Sequence, residues 1–417
     1  MSNEIRPSQP QRIVIVRPSA LGDICRSVPV LASVRAALPA AHIAWVVQDD
    51  FADAVTAHPA LNEVIAFPRS RFGRWWKSPG RAGEVRRWFS DLRKRRFDVA
   101  LDCQGLSRSG LITRATRAPL RIGLRSAREF AWLCYNRRVP EDDQPLAVHT
   151  VDRMMSLLAP LGIAARHDMR LYAPPAAQAW WDEYRARLGL AAGDAYAVIA
   201  PGSRWISKRW PIDRFADLVE PLLRRGFQRV LVIGSPAERD QARPLTERFG
   251  SSASRIENGA AASNPSGASI IDLVGATSIG QTMALVAGAG LVIANDSAPL
   301  HMAVGFDRPC VALFGPTDPA AVGPYRRAEC VVRAFQPKAD ERINYKDDRL
   351  GDSLMRLISS AMALQAIDRV LSLWPQRDRT VVTASQAPAT EPDAVRNNGS
   401  PMPLIDIPRG LAPRTAS

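Results

Sequence analysis

Short runs of consecutive apolar residues alternate along the chain with longer stretches where apolar residues recur every three or four positions. The runs read as strands buried on both faces and the periodic stretches as helices. In the first half, strands are predicted at Arg12–Val16, His42–Val47, Val64–Phe67 and Asp98–Asp102. Helices are predicted at Val28–Leu38, ended by Pro39, and at Glu84–Arg96, around Arg128–Tyr135 and at Val148–Leu161. In Glu84–Arg96, Val85, Trp88, Phe89 and Leu92 share one face, and the opposite face is basic. The stretch APPAAQ at Ala173–Gln178 reads as a linker, after which the alternation restarts. Strands follow at Tyr196–Ala200, Arg229–Ile233, Ile271–Val274, Leu291–Ala294 and Cys310–Phe314. Between them lie helices at Asp213–Arg225, Ala237–Phe249, Ser278–Ala287 and Ala298–Val304, and one more is predicted at Ser353–Leu373. Gly259–Gly267 reads as a mobile loop, and the Pro/Ala/Thr/Arg-rich stretch after Trp374 as a disordered tail. Strand–helix alternation run through twice predicts an α/β protein with two parallel sheets, each covered by helices on both faces.

Composition narrows this picture. At 417 residues, two domains are expected. No apolar stretch approaches the ~20 residues of a membrane span, and MSNEIRPSQPQ has none of the apolar core of a signal peptide, so a cytoplasmic location is expected. The five cysteines, Cys25, Cys103, Cys134, Cys310 and Cys330, form no C-x-x-C, which argues for buried free thiols. The formal net charge of +14 is concentrated: Arg69–Phe97 holds eleven Lys/Arg against Glu84 and Asp91. Such a field favours an anionic partner: nucleic acid, a lipid headgroup or a phosphorylated sugar.

In open α/β sheets ligands bind beyond the carboxyl ends of the strands. The loops after Val16, Ala200, Ile233, Val274, Ala294 and Phe314 therefore carry the candidate chemistry. After Val16 runs RPSALGDICRSVP (Arg17–Pro29), in which Asp23 stands where a phosphate would be expected at a helix start. As a helix cap Asp23 would be structural; as a general base it needs partial desolvation, because a helix start weakens a carboxylate as a base. NDSAPLHMAVG (Asn295–Gly305) opens a helix after a buried strand. Small residues there admit a pyrophosphate to free N–H groups, and His301 lies one turn beyond Ser297; capping by Asp296 and a packed His301 is the structural alternative. PGSRWISKRWP (Pro201–Pro211) offers the Ser203 hydroxyl and the charges of Lys208 and Arg209, which are otherwise solvated surface. In GSPAERD (Gly234–Asp240), Glu238 is either a ribose-binding acid or a first-turn helix residue. No Asp-x-Asp, HExxH, GxxxxGK[ST] or strand-linked GxGxxG is present. A diphosphate would have to be neutralised by helix starts and cations, which predicts metal-free chemistry without a cofactor.

Taken together, SALGDICRSVPVL, FDVALDCQGL (Phe97–Leu106), SAREF and YNRR within Ser126–Arg138, KRWP (Lys208–Pro211), NDSAPLH and FGPTDP occur in an order and spacing that resemble glycosyltransferase family 9, the lipopolysaccharide heptosyltransferases. The resemblance spans most of Arg12–Arg327. It implies a GT-B fold, two Rossmann-like domains facing across a cleft, with the acceptor in residues 12–172 and a nucleotide sugar in 179–374. Residues 173–178 would link them, flanked by a flexible stretch at 1–11 and a tail at 375–417. It implies inverting, metal-independent transfer of heptose from ADP-heptose to Kdo of the inner core. Asp23 would be the catalytic base. Ser203, Lys208, Glu238, Thr277, Asp296, Ser297, Ala298 and His301 would bind the donor. Ser19, Gly22, Arg71, Arg74, Lys77 and Arg128 would face the anionic acceptor at the inner face of the cytoplasmic membrane. Ser297-Ala298 replaces the family's Thr-Gly, Arg209 stands where His is common, and Val332–Leu357 departs from the pattern. Two rival readings remain: a related transferase with another nucleotide sugar or acceptor, and nucleic-acid binding through the basic segment with Trp75, Trp76 and Trp88.

Overall fold

A computed structural model describes residues 10–73, 77–140, 148–249, 256–257, 260–261, 270–337 and 343–374. The first sheet is built from β1 (Arg12–Val16), β2 (His42–Gln48), β3 (Glu63–Phe67), β4 (Val99–Asp102), β5 (Leu120–Leu124) and β6 (Arg137–Val139), all parallel, in the order 3-2-1-4-5-6. The second contains β7 (Tyr196–Ala200), β8 (Arg229–Val232), β11 (Ile270–Asp272), β12 (Leu291–Asn295), β13 (Cys310–Leu313) and β14 (Val331–Val332). Its order, 11-8-7-12-13-14, repeats the same winding. Both sheets are thus Rossmann-like, as the GT-B expectation requires. A short antiparallel pair, β9 (Ile256–Glu257) with β10 (Ala260–Ala261), falls partly within the loop read at Gly259–Gly267. The rest of that loop, the tail beyond Trp374, and Arg74, Trp75 and Trp76 lie outside the described residues.

The central strand shows why the sequence folds this way. Ile13 and Ile15 enter one buried cluster with Ile24, Val28 and Leu31, whereas Val14 and Val16 enter another with Leu92 and Phe97. Alternate residues of one apolar run thus serve opposite faces of the sheet. The helices are α1 (Leu21–Ala37), α2 (Asp53–Thr56), α3 (Arg69–Phe72), α4 (Pro79–Lys94), α5 (Ser107–Ala115), α6 (Thr150–Met155) and α7 (Pro175–Arg187). The second half adds α8 (Ile212–Arg224), α9 (Arg239–Arg248), α10 (Ile279–Ala287), α11 (Ala298–Gly305), α12 (Pro319–Val322), α13 (Asp348–Arg356) and α14 (Ser360–Leu373). Among the described residues no helix is long and apolar enough to cross a membrane.

Several boundaries differ from the sequence reading. Helix α1 starts seven residues before Val28 and carries Pro29 inside it. Burial of Ile24, Cys25 and Val28 outweighs the lost hydrogen bond. The helix expected around Arg128–Tyr135 is only a 3-10 turn, Ala131–Cys134, and α5, β5 and β6 had no periodic signal. Helix α7 begins inside the expected linker, with Pro175 in its first turn. Ser353–Leu373 divides into α13 and α14, the second capped by the Ser359 hydroxyl, which accepts from Met362 N–H.

The two halves are tied together directly. Asp53 accepts from Gly280 N–H at 3.1 Å, His149 Nε2 donates to the Gly323 carbonyl at 3.0 Å, and Thr150 donates to the Ala321 carbonyl at 2.9 Å.

Candidate active site

Each sheet reverses its strand order beside its first strand, between β1 and β4 and between β7 and β12. The crevices beyond those strand ends face one another and merge into one cavity of about 1330 Å³. Its walls include Ser19, Gly22, Asp23, Arg128, Ser203, Lys208, Glu238, Thr277, Asp296, Ser297, Ala298 and His301, so residues from both halves of the chain share one cleft.

On the first wall, Asp23 falls in the opening turn of α1. Its carboxylate does not cap the helix: it is held by Arg17 at 2.6 Å and by Arg26, three residues on. About a quarter of its side chain (26%) remains open to the cleft, while Arg17 and Arg26 are nearly closed off. Arg17 also donates to the Cys103 carbonyl and Arg26 to the Val322 carbonyl. Burial by itself would push the Asp23 carboxyl up, but the guanidiniums of Arg17 and Arg26 outweigh it and hold it well below the ordinary carboxylate range. A carboxyl depressed on folding stabilises the protein above its unfolded value of about 4 and ceases to as acid approaches the folded value. The stability gap between the parent and Asp23→Asn, followed by thermal melts, should therefore be constant from pH 7 to about pH 4.5 and shrink below that.

Gly22 is a packing position as much as a cleft residue. A Cβ there would lie 2.9 Å from His301 Cδ2 and 3.4 Å from Ala298 Cα, so its bare backbone lets α1 approach the start of α11. His301 is 2% exposed, its Nδ1 has no partner among the described residues, and burial holds it far below the usual imidazole range. It is therefore a neutral group at the seam between the two walls.

On the second wall, Lys208 Nζ donates to Asp296 Oδ2 at 2.6 Å, and both are largely buried. The loop after β7 is fixed by Asn295, which donates to the Pro201 carbonyl and accepts from Trp210 N–H. Ser203 is buried in it. Ser297 precedes the first turn of α11 in an extended conformation, with its Oγ buried and unpartnered among the described residues. Glu238 accepts from Ser235 N–H at 2.7 Å and Ser235 Oγ at 2.8 Å. It folds against Gly202, where a Cβ would lie 2.2 Å from Glu238 Oε1. Thr277 shares a hydroxyl–hydroxyl bond of 2.9 Å with Thr282.

Not every expected residue joins the cleft. Arg71 pairs with Glu84 at 2.9 Å on the outside and Lys77 is exposed; neither lines the cavity. They follow β3, the edge strand, two strands away from the reversal at β1. Arg74 lies outside the described residues. Asp102, an acid at the end of β4, is not free to act as a base: it accepts from Tyr135 OH at 2.7 Å and from Gln104 and Gly105 N–H. Its burial pushes the carboxyl up. Glu129, which does line the cleft, is engaged by Ser107 N–H and Oγ. Sequence reasoning missed Arg17 and Arg26, although both stand in the same motif as Asp23. It also missed Trp205, Tyr345 and Lys346, whose place in the cleft had no local signal. Among the described residues no group of three or more His, Cys, Asp or Glu is gathered for a metal ion, and the five cysteines are buried and free.

Residues 85–348 match the model of glycosyltransferase family 9 (heptosyltransferase). The chain is 31% identical over 322 residues to lipopolysaccharide heptosyltransferase 1 of Pseudomonas aeruginosa, covering 76% of this chain and 82% of that one. Among solved structures, a family 9 glycosyltransferase from Veillonella parvula superimposes with a TM-score of 0.70 at 22% identity, over 87% of this chain and 98% of that one. Escherichia coli heptosyltransferase WaaC with ADP-2-deoxy-2-fluoro heptose superimposes with a TM-score of 0.60 at 27% identity, over 78% and 93%. With the paired Rossmann-like sheets and the shared cleft, these matches make the chain a GT-B glycosyltransferase, and it belongs to glycosyltransferase family 9, the heptosyltransferases.

Proposed function

We propose that this enzyme transfers heptose from ADP-heptose to Kdo of a lipopolysaccharide inner-core acceptor, with inversion and without a metal ion. Residues 12–172 hold the acceptor and residues 179–374 the donor. The observation that carries the reading is the single cavity in which Asp23 stands on one wall and Lys208, Asp296 and the start of α11 stand on the other. The donor is supported by the relative solved with an ADP-heptose analogue, and the acceptor by the lipopolysaccharide relative.

The acceptor oxygen bonds to the anomeric carbon from the face opposite ADP. The carbon–oxygen bond to the diphosphate breaks, its electron pair leaves with ADP, and the hydroxyl proton passes to Asp23. A carboxylate held as acidic as Asp23 is a poor base toward a free alcohol. It suffices once the oxygen has begun to bond to carbon and its proton has become strongly acidic. Arg17 and Arg26 add a second effect. An anionic acceptor that engages either guanidinium takes compensation away from Asp23 and raises its basicity at the moment of reaction. Charge developing on the departing diphosphate meets Lys208 and the start of α11, where backbone N–H groups have no partner within the helix.

Arg128 at the cleft and the exposed basic face of α4 suit an anionic glycolipid and the inner face of the cytoplasmic membrane. The nucleic-acid alternative is disfavoured by Trp88. Its indole N–H donates to the Ala66 carbonyl, and its ring makes T-shaped contacts with Phe67, Phe72 and Phe89 at the edge of the apolar core, which favours a packing role over a stacking platform. Turnover of ADP-heptose with Kdo-lipid A should survive excess EDTA. A loss restored by Mg²⁺ or Mn²⁺ contradicts the metal-free reading.

A further inference from the structure

Lys208 sits at the end of a three-residue 3-10 turn, Ile206–Lys208, which is too short to hold a side chain by itself. The segment that departs from the family pattern is folded directly onto it. Gly351 of α13 lies against Ser207 so closely that a Cβ there would be 2.2 Å from Ser207 Cβ and 2.5 Å from its Cα. Ser207 is fully buried beneath it. Its hydroxyl donates to the Tyr345 carbonyl, and its N–H donates to Asp348 Oδ1 at 3.2 Å. Arg214 donates to the Arg356 and Ile358 carbonyls, and Trp210 Nε1 donates to Ile358 at 2.9 Å, which fixes the far end of the segment.

This docking brings two side chains into the cleft. The Tyr345 ring lies 5.1 Å from Lys208 Nζ and meets the edge of Trp205 at 5.7 Å and 81°. Lys346 stands over Trp205 at 5.8 Å. The Lys208 ammonium is therefore bounded by a carboxylate on one side and an aromatic face on the other. Asp296 pairs with the ammonium from within the wall. The ring provides a second attractive surface, which fixes the side of the paired ammonium that an incoming anion meets.

We propose that Tyr345 is a positioning residue of the donor site, which sets the Lys208 ammonium for the donor diphosphate, with the 344–356 segment as the strap that carries it. This rests on the assignment of Lys208 to the donor phosphates.

The test uses the full chain and ADP as the probe, titrated calorimetrically into the parent, Tyr345→Phe, Tyr345→Ala, Lys208→Met and the Tyr345→Ala/Lys208→Met double variant. Thermal melts report folding. Tyr345→Ala should weaken ADP about 3–30-fold, the range of a partly desolvated cation–ring contact. Tyr345→Phe, which keeps the ring, should stay within about twofold of the parent. In the Lys208→Met background, Tyr345→Ala should cost nothing further, because its effect runs through the ammonium. If Lys208→Met weakens ADP but Tyr345→Ala does not, the strap proposal is overturned and the donor assignment stands. An equal loss from Tyr345→Ala in both backgrounds also overturns it, since the ring would then act only on the fold. If Lys208→Met leaves ADP binding unchanged, the donor assignment fails first and the strap proposal falls with it.

Discussion

Asp23→Asn should lower kcat by about 10²–10⁴-fold, the usual loss for a missing general base, while ADP affinity stays near that of the parent. Asparagine keeps the shape and still accepts a hydrogen bond from Arg17 or Arg26, but it cannot take the acceptor's proton. From the sequence alone, a helix-capping Asp23 would tolerate this change almost silently. The structure removes that alternative, because the carboxylate binds two guanidiniums rather than the helix N–H groups. It also adds a consequence. Arg17 and Arg26 are both nearly buried and lose their shared counter-charge. Breaking a fully buried ion pair costs about 3–5 kcal/mol, and the partial exposure of Asp23 with the remaining carbonyl partners reduces this to about 1–3 kcal/mol. The variant should therefore melt earlier than the parent and still be folded at assay temperature. A folded variant whose kcat lies within a few-fold of the parent removes Asp23 from the chemistry.

Lys208→Ala should raise the donor KM by about 10–150-fold, with little effect on the acceptor KM. A charge-assisted contact to a diphosphate contributes about 1.5–3 kcal/mol. The structure places this value toward the upper end, because Lys208 also neutralises Asp296 at 2.6 Å. Its removal leaves a largely buried carboxylate facing the incoming diphosphate, so lost attraction is joined by new repulsion. Steady-state kinetics with donor varied at saturating acceptor checks this directly. Unchanged kinetics at sub-saturating donor would leave Lys208 only the structural partner of Asp296.

How far this site could be read from sequence depends on what kind of signal each residue leaves. Asp23, Lys208, Asp296 and His301 follow strands that are themselves unmistakable apolar runs. The rule that ligands gather beyond strand ends therefore places them from the sequence alone. The two Rossmann windings were legible for the same reason. What sequence could not supply was pairing. Whether Asp23 caps a helix or joins Arg17 and Arg26 depends on where α1 starts. Pro29 and Gly22 obscured that start, which only tertiary packing determines. Arg71 and Lys77 drew notice through charge density, yet they follow the edge strand and stay outside the cavity. Tyr345 is the converse case. It sits in a segment without periodicity, 137 positions beyond Lys208, and reaches the cleft only because Gly351 permits backbone-to-backbone contact with Ser207.

The most direct measurement is the mass of the acceptor after incubation of the purified full-length enzyme with Kdo-lipid A and a panel of ADP- and UDP-sugars. With ADP-heptose the acceptor should gain one heptosyl unit and ADP should appear in equal amount; neither should occur when donor or acceptor is omitted, or with Asp23→Asn on the same timescale. An unmodified acceptor with ADP-heptose, or a preferred transfer from a UDP-sugar, would contradict the account.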